Sequence, residues 1–281
     1  MNLYLRNEFL ELEEPVVMGI LNITPDSFSD GGDFFTDGAA LRQAEQMVKD
    51  GAAIIDVGGE STRPGAQTVS TEQEIDRVLP VIQAIKTQFE VLVSVDTYKA
   101  PVARAAVLDG GADIVNDISA LDFCENMAET IAALDVPVIL MHIKGTPEDM
   151  QKDPFYRNVI PELKQYFENR IDYAYSKGIK KNKLIIDPGI GFGKRVEDNV
   201  EIIKRLREFK EFDLPILIGI SRKSFLGKIA GEGDPKEREI ETVTAGLIAI
   251  LNGANIIRVH NVRNAVKSFK ILKKLVEFPF P

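Results

Sequence analysis

Eight apolar runs in this chain each end on a polar residue: Asn22, Glu60, Asp96, Asn116, His142, Asp187, Ser221 and His260. Carboxylates, amides, a hydroxyl and imidazoles gathered on one surface can hold a polar heterocycle, bind an anion or move a proton. One Asp at the end of a run commonly does no more than make a turn. The same feature at every run points to a shared site. Other familiar chemistries find no support. There is no HExxH, no cysteine cluster and no carboxylate pair at metal-ligand spacing, so a built-in zinc or iron centre is not expected. No Ser-His-Asp or Cys-His arrangement stands out. The segment GIGFGK at 189–194 looks like a phosphate loop, but GxxxxGK[ST] needs glycine where Pro188 stands and a hydroxyl residue at Arg195. Dinucleotide GxGxxG spacing is missing as well, and a nucleotide cofactor is not indicated.

Elements that could position such groups follow from the pattern between them. The runs cover 16–23, 54–59, 91–96, 114–118, 138–142, 184–187, 216–221 and 256–260. They are continuous rather than alternating, as parallel strands buried on both faces must be. Amphipathic stretches separate them. In 262–276, Val262, Ala265, Val266, Phe269, Leu272 and Val276 form one helical stripe. Helix stop signals recur at Asp50-Gly51 and Asp109-Gly110-Gly111, just ahead of the next run. Eight strand–helix repeats predict an α/β fold, a closed (β/α)8 TIM barrel in a single domain spanning 1–281, with a possible N-terminal hairpin within 1–14 plugging its floor. In that fold the polar run ends would share the mouth.

Composition narrows the partners. The 281 residues are 44% hydrophobic, enough for one large core, and no apolar stretch reaches the roughly 18 residues of a membrane span. A net charge of −9 argues against a nucleic-acid partner, which requires a basic surface to displace counterions. It leaves room for an anionic small molecule, since a few cations focused in a cleft dominate the local field. The only cysteine, Cys124, lies between Phe123 and Glu125 in an acidic segment and reads as a structural thiol. That usage, with an N-terminus lacking the order of a signal peptide, leads us to expect a cytoplasmic protein.

Eight segments then stand in a telling order: MGILNITPDSFSDGG at 18–32, DVGGESTRPG at 56–65, SVDT at 94–97, NDI at 116–118, MHIKGT at 141–146, DPGIGFGK at 187–194, SRKS at 221–224 and RVH at 258–260. Each alone is weak. As an ordered set spread over nearly the whole chain, they resemble the dihydropteroate synthase family. The resemblance implies a transferase of folate biosynthesis. Its reaction joins 6-hydroxymethyl-7,8-dihydropterin pyrophosphate to p-aminobenzoate, giving 7,8-dihydropteroate and pyrophosphate. It further implies a homodimer, a target for sulfonamides and a Mg2+ cofactor, with Asn22 as the metal-binding residue. Magnesium keeps several waters and takes few protein oxygens, so a sparse donor set is apt.

Carried over residue by residue, the resemblance places the pterin against Asp96, Asn116, Asp187 and Lys223, with Ile118 and Met141 on its faces. A carboxylate suits the donor edge of a pterin, an amide can accept and donate, and an ammonium serves the acceptor atoms. Pyrophosphate would meet Arg258 and His260 on the last strand and Asn22 on the first, which are neighbours in a closed barrel, and Val259 between the first two would also contact substrate. Asp26, Thr62, Arg63 and Pro64 would contact substrate from two polar loops, with Phe192 and Ser224 completing the p-aminobenzoate pocket. Asp30 and Arg63 would act on loop closure. The catalytic set is thus Asp30, Arg63, Asp96, Asp187, Lys223, Arg258 and His260. His142 is expected to be buried and hydrogen-bonded. The segment 243–251 is apolar almost all round and could meet a second subunit or simply be a deeply packed helix.

Two other readings compete. Methyltetrahydrofolate–corrinoid methyltransferases have a similar pterin-binding barrel but should lack the 61–65 segment, intact here. A pterin-binding paralogue with decayed catalysis is the other, kept alive by one departure: the family usually reads Arg-Val-His-Asp-Val, and this chain has Asn261.

Overall fold

Runs of Ile, Val and Leu bounded by Gly, Pro or Asp become strands here because both their faces are covered. A computed structural model describes residues 1–6, 8–23, 38–61 and 68–276. An antiparallel hairpin of β1 (Asn2–Tyr4) and β2 (Phe9–Glu11) comes first. Eight parallel strands follow: β3 (Val16–Asn22), β4 (Ile54–Gly58), β5 (Leu92–Asp96), β6 (Ile114–Asp117), β7 (Val138–Met141), β8 (Leu184–Asp187), β9 (Leu217–Gly219) and β10 (Ile256–Val259). Their neighbour order is β8-β7-β6-β5-β4-β3-β10-β9, so the first and last barrel strands lie side by side. A parallel bridge between Ile186 and Ile216 joins β8 to the start of β9 and closes the ring.

Between and after the strands come α1 (Ala39–Asp50), α2 (Thr71–Gln88), α3 (Ala100–Leu108), α4 (Met127–Leu134), α5 (Val159–Ser176), α6 (Val196–Lys204), α7 (Ser224–Ala230), α8 (Glu239–Leu251) and α9 (Val262–Leu275). The expected single-domain barrel is what forms, with two helices rather than one after β9. Several boundaries move by a residue or two. The largest change is at β9, where regular pairing covers only three of the six residues expected.

Local signals act as the sequence suggests. Gly51 ends α1 at φ 97°, a left-handed conformation that favours glycine. Ser70 and Gln73 form a reciprocal capping box at the start of α2. Asn261 caps α9, its side chain accepting the Asn264 N–H at 3.1 Å. Asp and Asn are both leading residues for that position, so the departure at 261 preserves the cap.

Strand alternation sorts the barrel into layers. Met18, Ile54, Ile114, Ile139, Ile185, Leu217 and Ile256, one from each of seven strands, pack with Leu3, Leu5 and Leu12 into a separate floor cluster. The N-terminal segment thus packs against one end of the barrel. Lys183 ties it down, its buried ammonium donating to the Leu5 carbonyl at 3.0 Å and the Asp135 carbonyl at 2.7 Å. Residues one step along, such as Val17, Ile55, Val93, Val115, Val138, Ile186, Ile218 and Ile257, join the outer core under the helices. Two steps above the floor the inward positions turn polar. Asp56, Ser94, Asn116 and Arg258 stand at that level, as the next odd-even repeat requires.

Candidate active site

The polar level and the strand ends above it form one mouth. Across four strands, register aligns Asn22, Gly58, Asp96 and Asn116 in a row. Gly58 has no side chain to fill that row. A Cβ there would lie 3.5 Å from Asp96 Cβ and 3.6 Å from Asn22 Oδ1. On the opposite wall, Met141 pairs with Asp187 in β7 and β8.

At the centre lies a charge cluster that sequence reasoning only half found. Arg258 donates from Nε to Asp56 Oδ2 at 2.6 Å and from Nη2 to Asp96 Oδ2 at 2.7 Å. Asn116 Nδ2 donates to the same Asp56 oxygen at 3.0 Å. Asp56 is fully buried, and its Oδ1 and the Ser94 Oγ beside it in register have no partner among the described residues. Asp56 is the residue we would add to the site. The signal was present: a carboxylate at the middle of an otherwise apolar strand, two positions before the residue that ends it. Removing one member of a buried, paired cluster costs about 3–5 kcal/mol, so the arrangement is well determined.

Burial and like charge shift the acids. Burial pushes the Asp96 carboxyl up to about 7; Arg258 opposes it, while Asp56, Glu74 and Asp117 reinforce it. Asp187 rises to about 6 through burial, countered by the Gly189 N–H at 2.8 Å and by Lys223, Lys194 and Arg258. Burial brings the Lys223 ammonium down to about 8 against the pull of Asp187. For Arg258 burial works against the charge, but Asp56 and Asp96 outweigh it and the net direction is upward. Two carboxyls and an ammonium that titrate near neutrality in one cleft are characteristic of a functional site.

Lys223 also reaches an aromatic ring at the mouth. Its Nζ sits 4.1 Å from the centre of the Phe192 ring, a cation–π contact joining the loops after β8 and β9. Gly191, at φ 83°, makes room, since a Cβ there would be 3.1 Å from Lys223 Cδ. Ser224 is exposed as the first residue of α7. Ile118 and Met141 are buried in a small cluster at the mouth with Ile143 and Met150, against which Tyr98, Phe123 and Phe192 pack.

His260 follows directly on β10 at the mouth. Ser221 Oγ lies 2.9 Å from its Nδ1 and accepts its backbone N–H at 3.2 Å, which fixes the ring. Val259 is not brought to the mouth by its side chain. With Arg258 and His260 facing inward, strand period two turns Val259 into the outer core, where it is 2% exposed. The same alternation accounts for His142. It follows Met141 and turns outward, meeting Tyr166 edge-on and placing Nδ1 2.9 Å from Lys194 Nζ. It is buried and hydrogen-bonded as expected, and burial followed by Lys194 drives its pKa well down.

Glu60, expected at the end of its strand, lies two residues beyond β4 and is engaged by the frame. It accepts from Tyr98 Oη at 2.6 Å, Lys99 Nζ at 2.6 Å and the Val69 N–H at 3.0 Å. Lys99 also reaches Glu74 at 2.6 Å and the Val69 carbonyl at 2.8 Å. Glu60 and Val69 bracket the second polar loop, so this ion cluster holds its base. Asp26, Asp30, Thr62, Arg63 and Pro64 lie outside the described residues. The structure thus brings together Asn22, Asp96, Asn116, Ile118, Met141, Asp187, Phe192, Lys223, Ser224, Arg258 and His260, and adds Asp56.

Comparison with known proteins agrees with the ordered motifs. The profile of the pterin binding enzyme family matches residues 18–260. Over 259 residues the chain is 47% identical to the dihydropteroate synthase of Synechocystis sp. (strain ATCC 27184 / PCC 6803 / Kazusa), covering 92% of this chain and 89% of that protein. The Yersinia pestis dihydropteroate synthase with a sulfonamide drug complex aligns with a TM-score of 0.92 at 43% identity, over 98% of this chain and 99% of that one. The Xanthomonas albilineans dihydropteroate synthase in complex with 7,8-dihydropteroate aligns with a TM-score of 0.90 at 38% identity, over 99% and 100%.

Proposed function

This chain belongs to the pterin binding enzyme family as an enzyme of the dihydropteroate synthase group, and on that premise we propose that it condenses 6-hydroxymethyl-7,8-dihydropterin pyrophosphate with p-aminobenzoate. One observation supports this reading above the rest. Asp96, Asn116, Asp187 and Lys223 converge on one cleft whose carboxyls titrate near neutrality, around an arginine held by two acids.

Ionised Asp187 accepts the paired N–H groups of the pterin edge. Asn116 donates and accepts beside it, and Lys223 serves the ring acceptors. With Nε on Asp56 and an Nη2 bond on Asp96, the guanidinium of Arg258 keeps further N–H donors for an oxyanion. His260, its ring set by Ser221, adds a second anion contact. In a dissociative substitution the CH2–O bond breaks and pyrophosphate leaves with the electron pair. Asp96 and Asp187 favour the positive charge that develops on the pterinylmethyl group. The amine nitrogen of p-aminobenzoate then forms the new bond to carbon and releases its proton.

A sparse oxygen donor suits Mg2+, which keeps several waters, and the Asn22 amide oxygen faces the gap left by Gly58. Asn22 would hold the ion, which when bound supplies positive charge to the leaving pyrophosphate. Phe192 and Ser224, with Thr62 and Pro64, would receive p-aminobenzoate, and sulfonamides would compete there.

We read the enzyme as cytoplasmic and homodimeric. No helix among the described residues is long and apolar enough to cross a membrane. Within 243–251, Ala245, Gly246, Ala249 and Ile250 pack inward, so one face of that segment belongs to the barrel core. Ile240 and Ile248 on α8 and Ile271 and Leu275 on α9 remain exposed and would face the second copy. Light scattering tests that directly. The function is tested by pyrophosphate release that requires both the pterin pyrophosphate and p-aminobenzoate. Tight pterin binding without release would favour the decayed paralogue instead.

A further inference from the structure

Lys223 enters the mouth from a backbone that would not hold its own shape. Arg222, the residue before it, sits at φ 60°, where a non-glycine residue is disfavoured by about tenfold or more in population. Both of its backbone groups are held from one place. Its N–H donates to Thr242 Oγ1 at 3.0 Å, and its carbonyl accepts from Arg238 Nη1 at 3.1 Å. Thr242 in turn donates to the Arg238 carbonyl at 2.7 Å.

Arg238 is 7% exposed and has no carboxylate partner among the described residues, a rare combination for a cation. Its fork is spent on main-chain carbonyls. Besides Arg222, Nε donates to Glu232 at 3.2 Å and Nη2 to Gly233 at 2.5 Å. The guanidinium lies against α7 at Gly227, where a Cβ would fall 2.4 Å from Nε and 2.8 Å from Cζ. Only glycine at 227 admits it. One side chain therefore ties the end of α7, the following loop and the strained residue ahead of Lys223 to the start of α8.

We infer that Arg238 is a positioning residue for the pterin site: it holds Arg222 in the left-handed conformation that directs Lys223 into the mouth. The inference rests on the reading of Lys223 as a pterin-binding group. A planar guanidinium is needed, because a lysine ammonium cannot span three separate carbonyls in a fork. Glycine at 222 would adopt the same φ without the clamp.

The test uses the full chain and equilibrium titration with dihydropterin pyrophosphate, well below the unfolding temperature of every variant. Arg238→Lys should weaken pterin binding at least tenfold and raise the KM for the pterin substrate. The KM for p-aminobenzoate should move less. Arg222→Gly alone should bind within about twofold of the parent, and added to Arg238→Lys it should recover most of the lost affinity. A general loss of packing would not be repaired by that glycine. Parent-like pterin affinity in Arg238→Lys overturns the inference, as does failure of Arg222→Gly to restore affinity in the double variant. Lys223→Met separates the two claims. If it leaves pterin affinity unchanged, the assignment of Lys223 falls. If it abolishes binding while Arg238→Lys does not, only the role of Arg238 falls.

Discussion

Asp187→Asn should make the empty protein more stable and a worse pterin binder at once. The Asp187 carboxyl sits at about 6 in the fold against an ordinary 3.8, because burial disfavours its charge. Between those values the folded chain holds a proton that the unfolded chain releases. Stability contributed by this group therefore falls as pH rises through that window, and the loss is complete above it. The displacement corresponds to about 3 kcal/mol at pH 7. Asparagine removes the charge and can keep the Gly189 N–H bond made at 2.8 Å. Lys194 and Lys223 lose an attractive neighbour in exchange. A net gain of about 1–3 kcal/mol at pH 7, vanishing below pH 4, is expected from these opposed effects. Binding should move the other way. An amide turns one acceptor into a donor facing the pterin N–H groups, costing about 3 kcal/mol or more, over a hundredfold in affinity. The parent should also lose about tenfold in pterin affinity from pH 7 to pH 5 as Asp187 protonates, while the variant stays nearly flat. Urea denaturation across pH and calorimetric titration with the pterin measure both. A variant less stable than the parent at pH 7 that binds pterin normally would refute the reasoning.

Four further outcomes follow from the same geometry. Asp56→Ala strips Arg258 and Asn116 of a shared acceptor and should lower stability by about 3–5 kcal/mol in urea titration, with turnover lost. Lys99→Met leaves Glu60 and Glu74 buried without their common cation, which we expect to cost about 3 kcal/mol and to raise the KM for p-aminobenzoate. Gly189→Ala places a Cβ 1.9 Å from the His142 carbonyl at φ 69°, so the variant should lose soluble expression or its thermal transition should drop sharply. Asn261→Asp, by contrast, exchanges one good helix cap for another and should leave thermal stability and turnover nearly unchanged.

Much of the candidate site was legible because a barrel strand advertises itself twice. Its apolar run is continuous, and the polar residue that stops the run is set at the mouth by the fold. Asn22, Asp96, Asn116, Asp187 and His260 could all be read that way. Val259 shows the limit of reading by motif: it sits between two site residues, yet the two-residue period of a strand points it outward. Asp56 shows the complementary limit. A carboxylate inside an apolar run looks like an interruption until the register places it beside Arg258, 202 positions away in sequence.

The order of apolar runs, their polar ends and the motif set determined the barrel, the family and most of the residues gathered at the mouth, because these depend on periodicity and residue type. Only the tertiary structure decided how the charges share one another. It made Arg258 the bridge between Asp56 and Asp96 rather than a free anion hook, and it paired His142 with Lys194 behind the mouth. It also spent a buried arginine at 238 on the backbone ahead of Lys223. Those outcomes depend on distances across strands and helices, and on which groups lose water together. Neither quantity is written in the spacing of residues along a chain.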